Sequence, residues 1–276
     1  NTVYYAPLAV NTDRITRQLR EADTNPAISN LCNKYKCDVA FVGSMYNEKH
    51  NLFDRLKNLT PYVSGYLDGI IQAQLKVYGY YFIEELLSKE IIEDMQHSLP
   101  LQPGNDSVES TEWLFAHYVI ARKIANLERT ALLKAVSEHF NTKLYTPNPT
   151  PELSQIHNMG SVDYQRQMPY VFKNSAINLN ISLRSIRSGI PLRCFDIMGC
   201  GGFLLSNYQG DFYEHFVPGE DLVLFESQED FLNKCDYYLK HDNERRQIAA
   251  NGYGKVKEFH TYEVRLKEIF KVVFSK

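Results

Sequence analysis

Cysteine and histidine are too scattered in this sequence to indicate a metal site. The five cysteines are odd in number and include no Cys-x-x-Cys pair, and no two of the eight histidines form a His-x-His or His-x-x-x-His pair. Structural zinc sites show ligand pairs at short, fixed spacing, so the sequence argues against one. Reduced, buried thiols are the simpler interpretation, and they are typical of a reducing compartment.

An excess of positive charge is also missing. Lys and Arg number 30 against 33 Asp and Glu, which gives a formal net charge of −3. Nucleic acids and anionic membranes bind basic faces, so neither is an expected partner. No apolar run approaches the roughly 20 residues of a membrane-spanning helix, and the amino end lacks a signal-peptide pattern. Because the hydrophobic content of 44% is that of a globular protein, the sequence predicts a soluble, cytoplasmic α/β protein.

Strand-like runs alternate with helical patterns, beginning with one run near residue 40 and continuing through the second half of the chain. The strand-like runs are at 38–42, 143–146, 177–181, 202–205 and 222–225, and the helical patterns are at 164–173, 192–198, 228–239, 244–258 and 262–276. Such alternation at short spacing favours a doubly wound parallel sheet, which is a Rossmann-like α/β fold. Ser227, which precedes Glu229 and Asp230, is predicted to cap the helix that follows it.

Helical periodicity replaces this alternation between residues 51 and 140. One long helix is predicted there, with an apolar face that runs from Trp113 to Ala131. The tyrosines of this region, such as Tyr78, Tyr81 and Tyr118, fall at helical spacing, which indicates packing rather than a ligand platform. The sequence therefore predicts three parts: a linker and lead-in (1–37), a Rossmann-like domain (38–50 and 141–276) and a helical insertion (51–140).

The turn after the first predicted strand is one candidate for a site. Ligands of an open parallel sheet bind beyond the carboxyl ends of its strands. Gly43 and Ser44 lie at such an end, and the backbone amides of a glycine-serine turn can approach a phosphate closely. The alternative is a simple strand-ending turn that uses glycine for its backbone freedom.

The segment after the 177–181 strand offers a second candidate. Three arginines, Arg184, Arg187 and Arg193, surround a Gly189-Ile190-Pro191 turn that begins a helix. Proline suits the first helical turn, the free amides at a helix start favour anions, and arginine adds paired donors for phosphate oxygens. These features predict a diphosphate site, and the alternative is that all three arginines are solvated surface residues.

Asp196 follows one turn into the same helix, between apolar neighbours. Its carboxylate could accept hydrogen bonds from the two vicinal hydroxyls of a ribose. Equally, it could be a surface acid that the helix dipole stabilises. No Gly-x-Gly-x-x-Gly follows the first strand, which argues against a dehydrogenase or a sugar epimerase.

The segment 193–206, RCFDIMGCGGFLLS, resembles the signature of the CgeB-like (spore maturation type) glycosyltransferases. The segments 7–10, 39–46, 216–223 and 245–252 are similar to other parts of that family's linker and C-terminal domain. The resemblance covers essentially the whole chain and is strongest from about residue 160 to residue 261. It implies the GT-B class, in which two Rossmann-like halves enclose a cleft and the C-terminal half binds a nucleotide-sugar donor.

The resemblance also assigns roles to individual residues. It implies that Asp196 meets the ribose, that Gly189, Leu192 and Arg193 meet the phosphates, and that Gly43 and Ser44 close the other side of the diphosphate. Ser161, Val162 and Tyr164 would edge the base pocket, and Arg184 and Ser188 complete the predicted donor site. Ser188 stands where many retaining relatives have the first of two spaced glutamates, so the sequence leaves the stereochemistry of transfer open.

The start at Asn1, without methionine, and the linker-like residues that follow suggest a fragment. The resemblance then implies that the acceptor half is the missing partner and that the chain alone would turn over poorly. It calls for no cofactor and no divalent metal, with which the lack of an Asp-x-Asp pair agrees.

The leading hypothesis is therefore a glycosyltransferase that moves a sugar from a UDP-linked donor to an acceptor, this chain being mainly the donor-binding half. Protein groups would stabilise the negative charge of the departing diphosphate. The alternative is a Rossmann-like module that binds a nucleotide or a partner without catalysis, which the serine at position 188 favours. Fold alone does not decide between the two.

Overall fold

A computed structural model describes residues 3–274, apart from the side chain of Asp23. Six parallel strands form one sheet in the order β3-β2-β1-β4-β5-β6. The strands are β1 (Cys37–Val42), β2 (Thr142–Tyr145), β3 (His157–Asn158), β4 (Ser175–Asn180), β5 (Leu204–Asn207) and β6 (Val223–Phe225). β1 pairs with β2 on one side and with β4 on the other, so the strand order reverses between β1 and β4.

Thirteen α-helices are present among the described residues. They are α1 (Thr12–Thr24), α2 (Pro26–Asn33), α3 (Pro61–Gln74), α4 (Ile83–Leu86), α5 (Lys89–Ser98), α6 (Thr111–Leu114), α7 (Ala121–Ser137), α8 (Met168–Asn174), α9 (Leu192–Gly199), α10 (Phe212–His215), α11 (Gln228–Lys240), α12 (Asp242–Phe259) and α13 (Tyr262–Phe274). A 3₁₀ turn covers Phe53–Arg55, and a π-helical segment covers Phe115–Ile120. No helix within residues 3–274 has both the length and the apolar character needed to cross a membrane.

The two faces of the sheet carry separate hydrophobic clusters. In β1, Ala40 and Val42 belong to the cluster under α8 and α9, whereas Val39 and Phe41 belong to the cluster under α7 and α11. Successive strand residues point to opposite faces, so a strand that is covered on both sides is apolar throughout. The parallel sheet with helices on both faces confirms the predicted Rossmann-like α/β fold.

The predicted insertion packs around a third cluster. Residues of α3, α5 and the π-helical segment fill it, with Leu67, Met95 and Phe115 fully buried. α7 joins this cluster to the sheet: Ile124 near its start belongs to the third cluster, and Leu133 further along belongs to the sheet core. The division into linker, domain and insertion stays a prediction.

Several elements differ from the sequence analysis. Residues 12–33, assigned there to a linker and lead-in, form α1 and α2, and Ile15 and Tyr35 are buried against the sheet core. The signals were capping ones: the Asn11 and Asn25 side chains accept from backbone amides at the two helix starts. The long helix predicted from Trp113 is interrupted by the π-helical segment. The Ser227 cap is confirmed, because its side chain accepts from the Asp230 amide.

The crossing of α12 over α9 depends on a glycine. A Cβ atom at Gly252 would lie 2.4 Å from the Asp221 carbonyl oxygen and 3.2 Å from the Met198 sulfur. We expect Gly252→Ala to destabilise the fold by about 1–3 kcal/mol, because the helix must move away from its neighbours. Thermal unfolding of the variant measures this loss.

Gly254 provides the matched control on the same helix. It is exposed, and a Cβ atom there would meet nothing within 4 Å. Gly254→Ala should therefore gain up to about 1 kcal/mol from helix propensity alone. Equal responses of the two variants would show that close packing at Gly252 is unimportant.

Candidate functional site

The candidate site lies where the strand order reverses. The carboxyl ends of β1 and β4 are followed by the Gly43–Ser44 turn and by the loop 181–191, which leads into α9. In open parallel sheets this switch point is where ligands bind. The topology therefore brings together the two segments that the sequence analysis singled out.

Asp196 is the centre of a small polar cluster. It is 5% exposed, so the alternative of a surface acid is wrong. The Tyr164 hydroxyl donates to its Oδ1 atom at 2.7 Å, and Arg193 Nη1 lies 3.6 Å from its Oδ2 atom. Burial raises the pKa of the Asp196 carboxyl, although Tyr164 and Arg193 both act to lower it. Asp196, Tyr164 and Arg193 were predicted to meet the ribose, the base and the phosphates, respectively. The structure places all three together, since Tyr164 bonds to Asp196 and Arg193 lies 3.6 Å from it.

Arg193 is held over an apolar surface. Its guanidinium lies 5.6 Å from the centre of the Phe172 ring and contacts the Met168 sulfur, and its side chain is 26% exposed. Burial also raises the pKa of the neighbouring Tyr164 hydroxyl, as does its hydrogen bond to Asp196, so Tyr164 is a neutral donor. The cluster therefore contains one cation and one acid, with acceptor and donor capacity toward a bound polar group.

The amide of Gly189 already binds an anion. Gly189 has a φ of +92°, which glycine adopts at little cost, and its amide donates to the Asp211 carboxylate at 2.5 Å. At the following helix start, Pro191 precedes Leu192 and provides no side-chain cap for α9. Amides at such a start favour negative charge. The Asp211 carboxylate stands where a phosphate oxygen could bind, and a phosphate at Gly189 would have to displace it.

Arg184, which was predicted to belong to the donor site, is bonded to the insertion. Its guanidinium donates to both carboxylate oxygens of Glu128, at 3.1 and 2.9 Å, and to the carbonyls of Gln74 and Val77. It also lies 3.6 Å from the centre of the Tyr78 ring. Four of its five N–H donors are thus engaged with the insertion. Arg184 ties the loop 181–191 to the insertion and is not brought together with the Asp196 cluster.

The other predicted residues lie along the same edge of the sheet. Ser161 and Ser188 are exposed, and Val162 packs against the core under α9. Ser44 is engaged within its own turn: its hydroxyl donates to Glu48 at 2.6 Å and lies 3.1 Å from Asn148 Oδ1. Their roles toward a ligand stay predictions.

Arg129, on α7, is the residue that the sequence analysis missed. It is 7% exposed and joins the two loops of the site, because Nε donates to the Ile181 carbonyl at 3.0 Å and Nη1 to the Ser44 carbonyl at 2.5 Å. Its guanidinium lies 4.5 Å from the Tyr46 ring centre. The sequence signal was its position among apolar residues of α7, where a buried charge needs several partners.

A cavity of 630 Å³ lies at the opposite edge of the sheet, among the amino ends of the strands. Lys36, Ser175 and Arg245 are among its lining residues. At the carboxyl edge of a parallel sheet, loops lead from the strands to the starts of the helices, and ligands bind there. The Asp196 cluster lies at that edge. We therefore place the candidate site at the carboxyl ends of the strands, although the 630 Å³ cavity lies at their amino ends. No three His, Cys, Asp or Glu side chains of the described part of the chain are placed to hold a metal ion.

Comparison with known families decides the membership of this chain. Residues 122–271, more than half of the sequence, match the family described as glycosyl transferase-like. The chain belongs to this glycosyl transferase-like family. No curated protein matches the sequence.

Solved structures of modest similarity belong to several organisms. A sucrose-phosphate synthase from Thermosynechococcus elongatus is 14% identical (TM-score 0.44), with 53% of this chain and 42% of that chain covered. The C-terminal domain of a group 1 family glycosyl transferase from Francisella tularensis is 19% identical (TM-score 0.40), with 49% and 79% covered. Anabaena HepE, in complex with UDP and glucose, is 10% identical (TM-score 0.41), with 96% and 53% covered. The chain thus spans about half the length of the first and the third of these proteins.

Proposed function

We propose that this glycosyl transferase-like chain is the nucleotide-sugar-binding half of a GT-B glycosyltransferase of CgeB-like type, with a UDP-linked donor. The observation that carries the proposal is the Tyr164–Asp196–Arg193 cluster at the switch point of the sheet, next to the start of α9. An acid for ribose hydroxyls, a cation for phosphates and free helix amides are the groups that a nucleoside diphosphate requires. Gly43, Ser44, Ser161 and Val162 would complete this site.

In the reaction, the bond between the anomeric carbon and the diphosphate breaks, and an acceptor oxygen forms a new bond to that carbon. We propose that the amides of Gly189 and Leu192 and the Arg193 guanidinium stabilise the negative charge left on the diphosphate, without a divalent metal. Asp211 would give up the Gly189 amide when the phosphate binds. The acceptor proton would pass to a base outside these residues.

The acceptor half is part of the same proposal. α13 contains no buried residue, and Leu266, Phe270 and Val273 on it are exposed. Val10 and Thr261 form a bridge that brings α13 close to the apolar amino-terminal segment, where Tyr4 and Leu8 are exposed. Exposed apolar side chains grouped on one helix mark an interaction site, and we propose that a second Rossmann-like half covers α13. All five cysteines are buried, and Cys37, Cys194, Cys200 and Cys235 form no disulfide, which supports the proposal of a reducing, cytoplasmic location.

The proposal is tested by calorimetric titration of the chain with UDP, ADP and GDP. Selective binding of UDP supports the donor half, and Asp196→Ala should remove it without unfolding the chain. If no nucleotide binds to the chain or to the longer protein with its acceptor half, the alternative of a non-catalytic module is favoured.

Arg193→Ala separates the diphosphate from the nucleoside. We expect the variant to bind UDP about 10- to 100-fold more weakly and uridine almost unchanged, because a charge-assisted hydrogen bond contributes about 1.5–3 kcal/mol. Titration of both ligands measures the two losses. Arg246→Ala is the control, since it removes the same charge at the opposite edge of the sheet. Equal losses for UDP and uridine would remove Arg193 from the diphosphate site.

A further inference from the structure

A second cavity, of 240 Å³, lies between the insertion and the loops that follow β4 and β5. Four tyrosines (Tyr78, Tyr80, Tyr81 and Tyr208) and two arginines (Arg184 and Arg187) line most of it. Both loops leave the carboxyl ends of their strands, so the cavity lies at the same edge of the sheet as the Asp196 cluster. The loop 181–191 belongs to both places: its first half lines the cavity, and its second half leads to Gly189 and α9.

The Tyr208 ring is fixed against the backbone of the insertion. Gly79 has a φ of +78°, and a Cβ atom there would lie 3.0 Å from Cε1 of Tyr208. Only glycine combines this backbone conformation with such a close aromatic ring. The ring of Tyr213 lies 6.0 Å from that of Tyr208, and Tyr80 and Tyr213 are more than half exposed. The mouth of the cavity therefore has accessible aromatic rings beside it, and the ring of Tyr208 packs closely against Gly79.

Polar groups with spare hydrogen-bonding capacity stand beside these rings. Arg187 makes one contact of 3.4 Å with Glu84, and its side chain is 59% exposed, so it keeps donors for a ligand. Gln209 donates to the Ile186 carbonyl through Nε2, which leaves its Oε1 atom as an acceptor. On the inner side, the Tyr78 hydroxyl donates to Glu128 and the Tyr81 hydroxyl to the Ala116 carbonyl, so these two rings form a fixed wall.

We propose that this cavity is a carbohydrate subsite that holds one sugar ring of the acceptor. Sugar rings carry C–H faces, which pack on aromatic rings, and equatorial hydroxyls, which bind planar groups such as guanidinium and amide. A volume of 240 Å³ is below the range of about 300 Å³ and more that holds drug-sized ligands, and it suits a single ring. The assignment to the acceptor rests on the proposed glycosyl transfer, whereas the binding of a sugar does not.

Saturation-transfer NMR with simple glycosides tests the subsite. The probes are the methyl α-glycosides of glucose, galactose and N-acetylglucosamine, each titrated onto the chain without nucleotide. We expect at least one to bind saturably, and we expect Tyr208→Ala to weaken it by about tenfold or more through the loss of ring packing. Tyr208→Phe keeps the ring and should retain binding. Tyr62→Ala, at another exposed tyrosine of the insertion, is the matched control.

Tyr80→Ala provides an independent variant, because this exposed side chain makes one hydrogen bond, to Glu85, and its loss should not unfold the chain. Failure of all three glycosides to bind, or equal losses in the Tyr80, Tyr208 and Tyr62 variants, would overturn the subsite. If a tyrosine-rich peptide bound at Tyr208 and none of the three glycosides did, the cavity would be a peptide site, and the carbohydrate subsite would be overturned as well. UDP titration of the same samples separates the two proposals, since glycoside binding without UDP binding keeps the subsite. The transferase is then removed if the longer protein with its acceptor half also fails to bind UDP.

Discussion

Glu128→Gln is expected to destabilise the protein by about 3–5 kcal/mol. Glu128 and Arg184 form an ion pair whose side chains are 3% and 5% exposed, with Nη2 2.9 Å from Oε1. Glutamine keeps the shape but leaves the guanidinium as a buried charge without a carboxylate, and that loss greatly exceeds the net contribution of the intact pair. Chemical denaturation of the chain and the variant measures the difference.

An exposed pair in the same insertion is the control. Glu93 lies 3.7 Å from Lys89, and both side chains are largely solvated. Glu93→Gln should therefore change stability by less than about 1 kcal/mol. If Glu128→Gln cost no more than Glu93→Gln, the buried pair would not hold the insertion to the loop 181–191. Replacing both partners, in Glu128→Leu with Arg184→Met, should recover part of the stability, because no unpaired charge then remains.

Asp196→Asn should weaken UDP binding by about 10- to 100-fold, because hydrogen bonds to an ionised group contribute about 1.5–3 kcal/mol. The amide can still accept from Tyr164 but offers one acceptor atom where the carboxylate offers two. Calorimetry at neutral pH measures the loss. Asp236→Asn, at an exposed acid paired with Lys240, is the matched control and should bind UDP normally. Unchanged affinity in Asp196→Asn would contradict the ribose role.

The same variant should raise the melting temperature of the unliganded chain at neutral pH. Burial raises the pKa of Asp196 above its ordinary value of 3.8, so the folded chain holds this proton more tightly than the unfolded chain does. The ionised carboxyl therefore costs stability, and the cost grows as the pH rises above 3.8 until the folded-state pKa is passed. The melting temperatures of the chain and the variant should converge as the pH falls toward 3.8. Parallel curves at all pH values would show that the burial of Asp196 has no such cost.

Two buried arginines explain how the insertion and the site are connected. Arg129 on α7 donates to the carbonyls of Ser44 and Ile181, which follow β1 and β4. Arg184, in the loop 181–191, forms an ion pair with Glu128 on α7. Glu128 and Arg129 are neighbours in the sequence, and both bond to the loop 181–191. The insertion therefore supports the loop that leads to α9, in addition to forming its own core.

The sheet was accessible from the sequence because its signals are local. β1 contains a short apolar run that ends in a turn, β4 alternates apolar residues with asparagines, and each pattern can be recognised without knowledge of the strand's partners. β3 has two residues and depends on its pairing with β2, so no periodicity could reveal it. α1 and α2 were missed because the sequence analysis assigned this segment to a linker, although their asparagine caps and the apolar residues Ile15, Leu19, Ile28 and Leu31 are visible in the sequence.

The sequence by itself determined the parallel α/β fold, and it supplied the candidate residues Asp196, Arg193 and Gly189 at the carboxyl edge of the sheet. Only the tertiary structure decided which of them meet. Arg184 and Glu128 are 56 residues apart and Gly189 and Asp211 are 22 apart, so no local pattern links them. Contacts of this kind form because a buried charge or amide must find a partner wherever the fold brings one, and that choice depends on the packing of the whole chain.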